Sequence, residues 1–487
     1  MRILATLLTL LLTTTTYAKP IDTKAVDRIM TSMLAAWQVP GAAVAVVADG
    51  EVVYAKGYGT RVLGANQPVD GDTLFQIAST SKAFTSTAVA MLVSDGKLSF
   101  DDPVRQHLDY FRIGDSCADS QVTIRDILTH RTGVARHDEL WDNTPLTRSD
   151  VVRAFGEVEL ARPFRSGYGY QNITFIAAGE VVAKTAGITW DEFVRTRIFR
   201  PLGMTRTITS DADWSVDTNT ATGYRWYDAG GRIAPQTLIS TRTIGAGGGI
   251  KSSARDLAQW VRFQLDDEQK LIDSKALAET KTPHTIISVN EEANPETNLM
   301  AYAMGWIVQD YRGEKLVSHS GALNGFRTNI AMLPEHDTGF VVLINSGRSA
   351  AVTAARNALA DLVLGSPSRD WNAHLLALDA KSTEKESKQK AEREAKRIKN
   401  TQPTLPLDGY AGTYVSRAHG PAEIVVANGR LVLRWNKLNV PLTHHHYDVF
   451  DAVSEEDWLE EELVFDFTPS RELKSFTLWG TEFVKQK

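Results

Sequence analysis

A serine and a lysine three residues apart are the first candidates for catalysis in this sequence. Ser79 and Lys82 would lie on one face of a helix, because helical residues three apart are neighbours. The lysine could then take the serine proton, provided that burial or a nearby cation lowers its pKa. Such a serine nucleophile needs no histidine. The pattern alone does not choose the nucleophile, because S-x-x-K occurs four times, at Ser79/Lys82, Ser94/Lys97, Ser382/Lys385 and Ser387/Lys390.

The surroundings of these serines differ. Ser94 precedes a turn signal and is predicted to lie past a helix end, and Ser382 and Ser387 lie in a run rich in lysine and glutamate. Ser79 follows the strand-like segment 73–78 and opens an apolar helical pattern. The first turn of a buried helix offers backbone N–H groups and the positive end of the helix dipole, which favour an alkoxide and an oxyanion. A simple helix cap at Ser79 stays open at this point.

Length and composition describe an ordinary globular protein. The chain has 487 residues, enough for two or three domains, with 43% hydrophobic and 23% charged residues. A formal net charge of −6 gives no reason to expect nucleic acid as a partner. Cys117 is the only cysteine, so no internal disulfide can form, and its polar surroundings without a nearby histidine favour a spectator thiol.

The N-terminus has the pattern of a secretory signal peptide. An arginine is followed by an apolar run too short to cross a bilayer and by the small-residue pattern Thr16-x-Ala18. We expect residues 1–18 to be cleaved after Ala18, and the mature protein to be periplasmic or secreted. A retained membrane anchor is the alternative. No later run predicts a membrane helix, so no stable membrane span is expected after cleavage.

The order of the predicted elements indicates an α/β (α+β) fold. A β-hairpin signal around Asp49-Gly50 and a group of strands between residues 315 and 344 bracket a helix-rich middle. We therefore predict one antiparallel sheet built from both ends of a catalytic domain, residues 19–370, with helices covering its faces. A charged helical linker is predicted for residues 371–403, where glutamate and lysine pairs recur at helical spacing.

Short alternating runs with turns predict a small all-β domain at residues 404–487. His444, His445 and His446 lie within it. Adjacent strand residues point to opposite faces, so these three side chains cannot easily meet at one metal ion. We predict no metal site there and no metal or organic cofactor elsewhere.

Two further segments add polar groups that suit a serine nucleophile. Tyr170 and Asn172 precede a helical run and offer a phenol, whose pKa could fall beside a cationic lysine, and an amide for a polar substrate. His319, Ser320 and Gly321 follow a predicted strand, where a glycine lets a substrate backbone lie against the strand edge. Each segment alone is more typical of a core-edge residue or an ordinary turn.

Taken together and in this order, the segments resemble the serine β-lactamase and penicillin-binding protein superfamily, in its class C-like branch. That family has S-x-x-K, then Y-x-N, then K-T-G or H-x-G, which match Ser79–Lys82, Tyr170–Asn172 and His319–Gly321. The resemblance spans about residues 22–365 and includes Gly245–Gly249, interpreted as a flexible turn. The segment Tyr410–Tyr414 is similar to the start of a β-barrel-like domain that often follows this module.

The resemblance implies a covalent mechanism and a role for each residue. Ser79 would become acylated, while Lys82 and Tyr170 would share the proton transfers. Asn172 would orient Lys82 or the substrate amide, and the segment from His319 through Ser320 to Gly321 would bind and orient the substrate. The backbone N–H groups of Ser79 and of Ala322, the residue after the third motif, would form the oxyanion hole.

His319 stands where most β-lactamases have lysine. Histidine is mostly neutral at neutral pH and is a weak anchor for a substrate carboxylate. The resemblance therefore implies an exported serine hydrolase acting on a small-molecule or peptide substrate, such as a D-amino-acid peptide, as a peptidase, amidase or esterase. A β-lactamase or penicillin-binding protein is the alternative, and a non-catalytic binding module is the alternative of another class.

Overall fold

The structure is a computed structural model that describes residues 21–142, 144–227, 231–266, 268–367, 369–454 and 459–486. The predicted signal peptide lies outside the described residues. Across the described ranges, none of the helices combines the length and the apolar character that crossing a bilayer requires.

The first and larger part of the chain contains both helices and strands. Its strands are β1 (Gly41–Ala48), β2 (Glu51–Gly59), β3 (Phe75–Gln76), β4 (Tyr224–Tyr227), β5 (Arg232–Pro235), β6 (Lys251–Ser252), β7 (Thr285–Ile286), β8 (Met300–Tyr302), β9 (Ile307–Tyr311), β10 (Glu314–Leu323), β11 (Phe326–Leu333) and β12 (Thr338–Ile344). Its helices are α1 (Thr23–Trp37), α2 (Ser81–Ser94), α3 (Val104–His107), α4 (Ser116–Asp119), α5 (Ile124–Leu128), α6 (Arg148–Phe155), α7 (Ile173–Ala186), α8 (Trp190–Val194), α9 (Asp211–Val216), α10 (Gly245–Gly248), α11 (Ala254–Leu265), α12 (Ser274–Glu279) and α13 (Ser349–Leu364).

An antiparallel sheet of eight strands, in the order β2-β1-β12-β11-β10-β9-β8-β7, joins the two ends of this part. The predicted hairpin is present as β1 and β2, and Asp49 and Gly50 in its turn both have left-handed φ, of 49° and 73°. Strand β1 then pairs with β12, with Ala42 opposite Ile344. The predicted α/β fold with an antiparallel sheet made from both ends is thus confirmed.

Helices cover both faces of the sheet, which explains why every residue of β1 is buried. Helices α1 and α13 pack against one face of the sheet and form a core with it that includes Trp37 and Leu359. The other face belongs to a larger core that includes α2, α7 and α11, where Phe84 stacks on Trp260 with ring centroids 3.8 Å apart. Helix α2 is buried along most of its length, so it is a rigid support for the residues at its start.

A long helix, α14 (Trp371–Lys396), leaves the catalytic part. At its start the Trp371 indole donates a hydrogen bond of 2.8 Å to Asp361 of α13. Near its end Arg393 forms ion pairs with Asp451 and, at 2.6 Å, with Glu462 of the following domain. The helix therefore contacts both domains at its two ends while its middle is exposed.

The last part of the chain is all β, as the alternating runs predicted, and it forms a closed barrel, as the resemblance at Tyr410–Tyr414 implied. The barrel begins after the short helix α15 (Leu407–Tyr410), and its eight strands are neighbours in chain order: β13 (Gly412–Ser416), β14 (Gly420–Ala427), β15 (Arg430–Trp435), β16 (Leu438–His446), β17 (Val449–Ser454), β18 (Leu459–Phe467), β19 (Leu473–Leu478) and β20 (Thr481–Lys485). Strand β13 pairs with β20 and closes the barrel. Aromatic and aliphatic side chains such as Tyr414, Phe465 and Phe476 fill its interior.

Candidate active site

Ser79 lies in a tight turn between strand β3 and helix α2. The turn is a single 3₁₀ turn, Ala78–Thr80, and α2 begins only at Ser81, so Ser79 stands just before the helix rather than within its first turn as predicted. Ala78 has a left-handed φ of 48°, which is unusual for a residue with a Cβ atom. This sharp change of direction places Ser79 on the wall of a cavity of the catalytic domain.

Lys82 is completely buried beside Ser79. Its amine donates to Asn172 Oδ1 at 2.6 Å and to the carbonyl oxygen of Gly247 at 2.6 Å. Burial lowers the pKa of Lys82 well below its usual value, so the neutral amine is favoured. Because both of its N–H groups are then donated, its lone pair faces Ser79 Oγ at 3.2 Å. This arrangement suits a base that removes the serine proton.

The Tyr170 hydroxyl donates a hydrogen bond of 2.7 Å to Ser79 Oγ. Burial raises the pKa of Tyr170, and the hydrogen bond to Ser79 only partly opposes this effect. The expectation that a cationic lysine would lower the pKa of this phenol is therefore wrong, because burial of the phenol outweighs the groups that lower its pKa. Tyr170 thus faces Ser79 as a neutral phenol. It can pass its proton on only if it takes up another proton at the same time.

Asn172 connects Lys82 to a carboxylate that the sequence reasoning missed. Its amide nitrogen donates to Asp138 Oδ1 at 2.8 Å, and the Trp141 indole donates to the same oxygen at 2.7 Å. These partners fix the orientation of the amide, with its oxygen toward Lys82. Asp138 follows a loop with no recognisable motif, so only the three-dimensional structure shows its place. Asp138 therefore binds the amide nitrogen of Asn172, while the amide oxygen accepts the hydrogen bond from Lys82.

His319 lies beneath the reacting groups and is almost completely buried. Its Nδ1 contacts the carbonyl oxygen of Ser320 at 2.6 Å, and its Nε2 lies 2.9 Å from the Tyr302 hydroxyl. A carbonyl can only accept, so Nδ1 carries the proton and Nε2 accepts from Tyr302. Burial lowers the pKa of His319 to about 3. The ring is therefore neutral, and the structure does not place it among the residues that line the cavity.

Gly321 allows strand β10 to lie directly against the segment before Ser79. A Cβ atom at Gly321 would stand 2.2 Å from the carbonyl oxygen of Ile77. Thr328 on β11 donates to that same oxygen at 2.9 Å. This close approach brings Ala322 to the cavity wall beside Ser79, as the predicted pair of oxyanion-hole amides requires. Ser320 is exposed on the same face of the strand as Ala322.

The glycine-rich segment is a buried helical turn, α10, and not the flexible turn expected from the sequence. All its residues are buried, and a Cβ atom at Gly247 would stand 3.2 Å from the backbone oxygen of Asn172. The small residues allow this turn to approach α7 and α2 closely. The carbonyl oxygen that Gly247 offers to Lys82 was not predicted, because a backbone acceptor leaves no mark on the residue type.

The cavity beside Ser79 has a volume of about 670 Å³, which suits a small ligand or a short peptide. Three cationic residues line it: Arg136, Arg327 and Lys437. Lys437 belongs to the turn between β15 and β16, so the barrel contributes directly to the cavity. Burial lowers the pKa of Arg327 only to about 10, which leaves it charged at neutral pH. Two carboxylates, Asp138 and Asp142, also line the cavity, and Arg136 forms an ion pair with Asp138. Arg327 and Lys437 are the lining cations outside that pair, and His319 is neutral.

The three histidines singled out in the sequence are not among the described groups whose donor atoms could hold one metal ion, although the rings of His445 and His446 lie 4.8 Å apart. His444 Nε2 contacts the carbonyl oxygen of Tyr447 at 2.8 Å, whereas His445 points inward toward Asp451. Another cluster does gather donor atoms that could hold a metal ion, and the sequence reasoning missed it: His137, Glu139 and His419. Cys117 is exposed, with no histidine in contact, as expected for a spectator thiol.

A serine in contact with a buried lysine and a buried tyrosine, in the turn before a helix of a mixed α/β domain, is the arrangement of a serine hydrolase. The chain belongs to the β-lactamase family, whose model matches residues 26–365. A second model, that of the domain of unknown function DUF3471, matches residues 396–486, which include the barrel. The resemblance noted in the sequence is thereby confirmed.

Curated relatives agree with this class. The chain is 29% identical over 419 residues to "Unguisins hydrolase ungD'" of Aspergillus campestris, covering 80% of this chain and 75% of that protein. It is 29% identical over 451 residues to "Unguisins hydrolase ungD" of Aspergillus violaceofuscus, covering 83% and 77%. It is 27% identical over 323 residues to "Protein flp" of Staphylococcus aureus, covering 66% of this chain and 62% of that protein.

Solved structures show the same fold. An octameric penicillin-binding protein homologue from Pyrococcus abyssi superposes with a TM-score of 0.65 at 24% identity, covering 96% of this chain and 100% of that one. The crystal structure of SurE superposes with a TM-score of 0.57 at 20% identity, covering 95% and 99%. At these identities the likeness establishes the architecture alone.

Proposed function

We propose that this chain is an exported serine hydrolase that cleaves an amide or an ester through an acyl-enzyme on Ser79. One observation carries the proposal: Ser79 Oγ lies 3.2 Å from the Lys82 amine and 2.7 Å from the Tyr170 hydroxyl. Burial lowers the pKa of Lys82, which favours a neutral amine whose lone pair would face the serine. An unprotonated base in contact with the nucleophile is what acyl transfer requires.

In acylation, Ser79 Oγ forms a bond to the substrate carbonyl carbon while its proton passes to Lys82. The oxyanion that develops is met by the backbone N–H groups of Ser79 and Ala322. The bond to the leaving amine or alcohol then breaks, and the proton held by Lys82 leaves with that group through the Tyr170 hydroxyl. In deacylation, water attacks the ester, its proton returns by the same two side chains, and the serine is regenerated.

The substrate is proposed to carry a carboxylate near the scissile bond. The cavity wall offers positive charge at Arg327 and Lys437, and a neutral His319 below it offers none. Peptide-like amides that carry a carboxylate fit this requirement, and the curated relatives named as hydrolases of unguisins support a hydrolytic reaction. We therefore favour a short peptide, such as a D-amino-acid peptide, over a simple ester.

A β-lactamase or a penicillin-binding protein is the second candidate. The same two cations could hold the carboxylate of a β-lactam in place of the lysine that most β-lactamases carry at the position of His319. Periplasmic or secreted localisation is also part of the proposal, and it depends on the signal pattern of residues 1–18 in the sequence.

The test is covalent labelling of the mature protein. A fluorophosphonate and a fluorescent penicillin are added in turn, and the intact mass is measured for the wild type, for Ser79→Ala and for Ser94→Ala as a matched control. We expect one fluorophosphonate adduct on the wild type and on the control, and none on Ser79→Ala. Labelling that survives Ser79→Ala would overturn the assignment of the nucleophile. Rapid turnover of a chromogenic cephalosporin would reverse the order of the two candidates.

A further inference from the structure

A cluster of two imidazoles and one carboxylate lies where the barrel meets the catalytic domain. His137 and Glu139 belong to the loop and short turn after α5, and His419 lies between strands β13 and β14 of the barrel. Glu139 Oε1 lies 2.7 Å from His137 Nδ1 and 3.0 Å from His419 Nε2. One donor atom from each of the three side chains can be chosen so that all three lie within 4.8 Å of one another.

The donor types and spacing suit a zinc ion. Zinc takes imidazole nitrogen and carboxylate oxygen at about 2.0–2.2 Å, so tetrahedral ligand atoms are about 3.3 Å apart. The separations of 2.7 and 3.0 Å from Glu139 are shorter than this, and the two imidazole nitrogens lie within 4.8 Å of each other, so movements of at most about 1.5 Å would complete the tetrahedral spacing. Two histidines and one glutamate also leave a fourth position for water.

The surroundings orient these ligands. The side chain of His419 is completely buried, and those of His137 and Glu139 are 13% and 16% exposed. The His419 ring packs against Trp435 and Phe483, while its Nδ1 faces Ser416 Oγ at 3.4 Å. An acceptor on the second nitrogen is what sets a metal-binding histidine in the correct tautomer. The site is thus rigid on the barrel side and has a route from solvent on the other.

We propose that His137, Glu139 and His419 bind one Zn²⁺ ion and that this ion fastens the barrel to the catalytic domain. The two ligands of the catalytic domain flank Asp138, which holds the Asn172 amide that in turn holds Lys82. Zinc would therefore fix the loop that supports the active site and keep Lys437 on the cavity wall. This last consequence depends on the proposed function, whereas binding of the ion does not.

Zinc binding is measured on the full mature chain after removal of metal with a chelator, by titration with ZnCl₂ and by metal analysis after gel filtration. A variant with His444→Gln and His446→Gln removes the nearby histidine run and is the background for all measurements. We expect one tightly bound Zn²⁺ per chain in this background. Adding His419→Gln or Glu139→Gln is expected to weaken binding at least tenfold, since each removes one ligand.

Thermal unfolding provides a second measurement that does not depend on activity. Zinc should raise the unfolding midpoint of the background protein and leave it unchanged in the His419→Gln and Glu139→Gln variants, because a ligand stabilises only the state that binds it. Fluorophosphonate labelling of Ser79 reports separately on the proposed function. Absence of stoichiometric zinc, or zinc that remains tightly bound in both ligand variants, would overturn the proposal.

Discussion

At the scale of single residues, two opposite charges act on the Lys82 amine. Arg136 lowers the pKa of Lys82 in addition to the larger effect of burial, and Asp138 raises it. The two charges also form an ion pair with each other at the mouth of the site. The proton affinity of the base therefore depends on a pair of residues that never touch the substrate bond, and each can be removed separately.

We predict that Arg136→Gln and Asp138→Asn move the pH dependence of kcat/KM in opposite directions. Removing the cation raises the pKa of Lys82, so the acidic limb shifts to higher pH, because more alkaline conditions are needed to free the amine. Removing the anion lowers the pKa of Lys82, so the limb shifts to lower pH. Asp109→Asn, which removes an exposed carboxylate, should leave the limb in place.

The measurement is the pH profile of kcat/KM, or of the fluorophosphonate labelling rate, for the three variants and the wild type. His319 should add no limb near neutral pH, since burial lowers the pKa of that ring to about 3. Shifts of the same sign in both variants would mean that Lys82 is not the base.

At the scale of elements, the proposed oxyanion hole depends on the approach of strand β10 to the backbone just before Ser79. Gly321 makes that approach possible, because a methyl group there would overlap the Ile77 carbonyl. The two amides of the proposed hole lie on different elements, so a shift of one strand separates them.

We predict that Gly321→Ala lowers kcat/KM by about 10²–10³, the cost of losing one oxyanion-hole donor. Gly347→Ala is the matched control, because a Cβ atom there would meet its nearest neighbour at an ordinary 3.5 Å. Activity and thermal unfolding should be measured together, so that a folded but inactive Gly321→Ala protein is distinguished from an unfolded one. Full activity in the folded variant would contradict the placement of Ala322.

The sequence predicted the elements that have a regular pattern of residue types. It did not predict the groups whose role depends on contacts between distant segments. The hairpin, the sheet from both ends and the all-β domain follow from alternation and turn signals. In strand β16, Pro441 and three histidines obscure an alternation that Leu438, Val440 and Leu442 nevertheless keep, so the sequence indicated a strand at the histidines without its bounds. Asp138 and the Gly247 carbonyl oxygen could not be predicted, since their roles come from distances between segments far apart in the chain.

At the scale of the whole molecule, the barrel forms part of the wall of the cavity beside Ser79. Lys437 reaches this wall from the turn between β15 and β16. Under the proposed function, the barrel would therefore contribute a positive charge to substrate recognition. The charge of Lys437 should therefore affect KM for the substrate and not the rate of acylation at Ser79.

We predict that Lys437→Glu raises KM for a carboxylate-bearing substrate by about tenfold, since reversing one charge at this range costs roughly 1–2 kcal/mol in solvent-exposed surroundings. The value of kcat and the rate of labelling by a neutral fluorophosphonate should stay unchanged. Lys399→Glu, an exposed lysine outside the cavity, serves as the control. An unchanged KM would remove Lys437 from substrate recognition.

The helix α14 limits which mutations of the linker the protein can accept. Its 26 residues extend about 39 Å between Trp371, which holds the catalytic domain, and the pairs of Arg393 with the barrel. Each residue added to a helix turns whatever follows by about 100° and moves it by about 1.5 Å. The exposed positions of α14 can therefore vary widely in residue type, while an insertion or deletion of one residue would rotate Lys437 away from the cavity. We therefore expect substitutions at the exposed positions of the linker to be tolerated and changes in its length to be harmful.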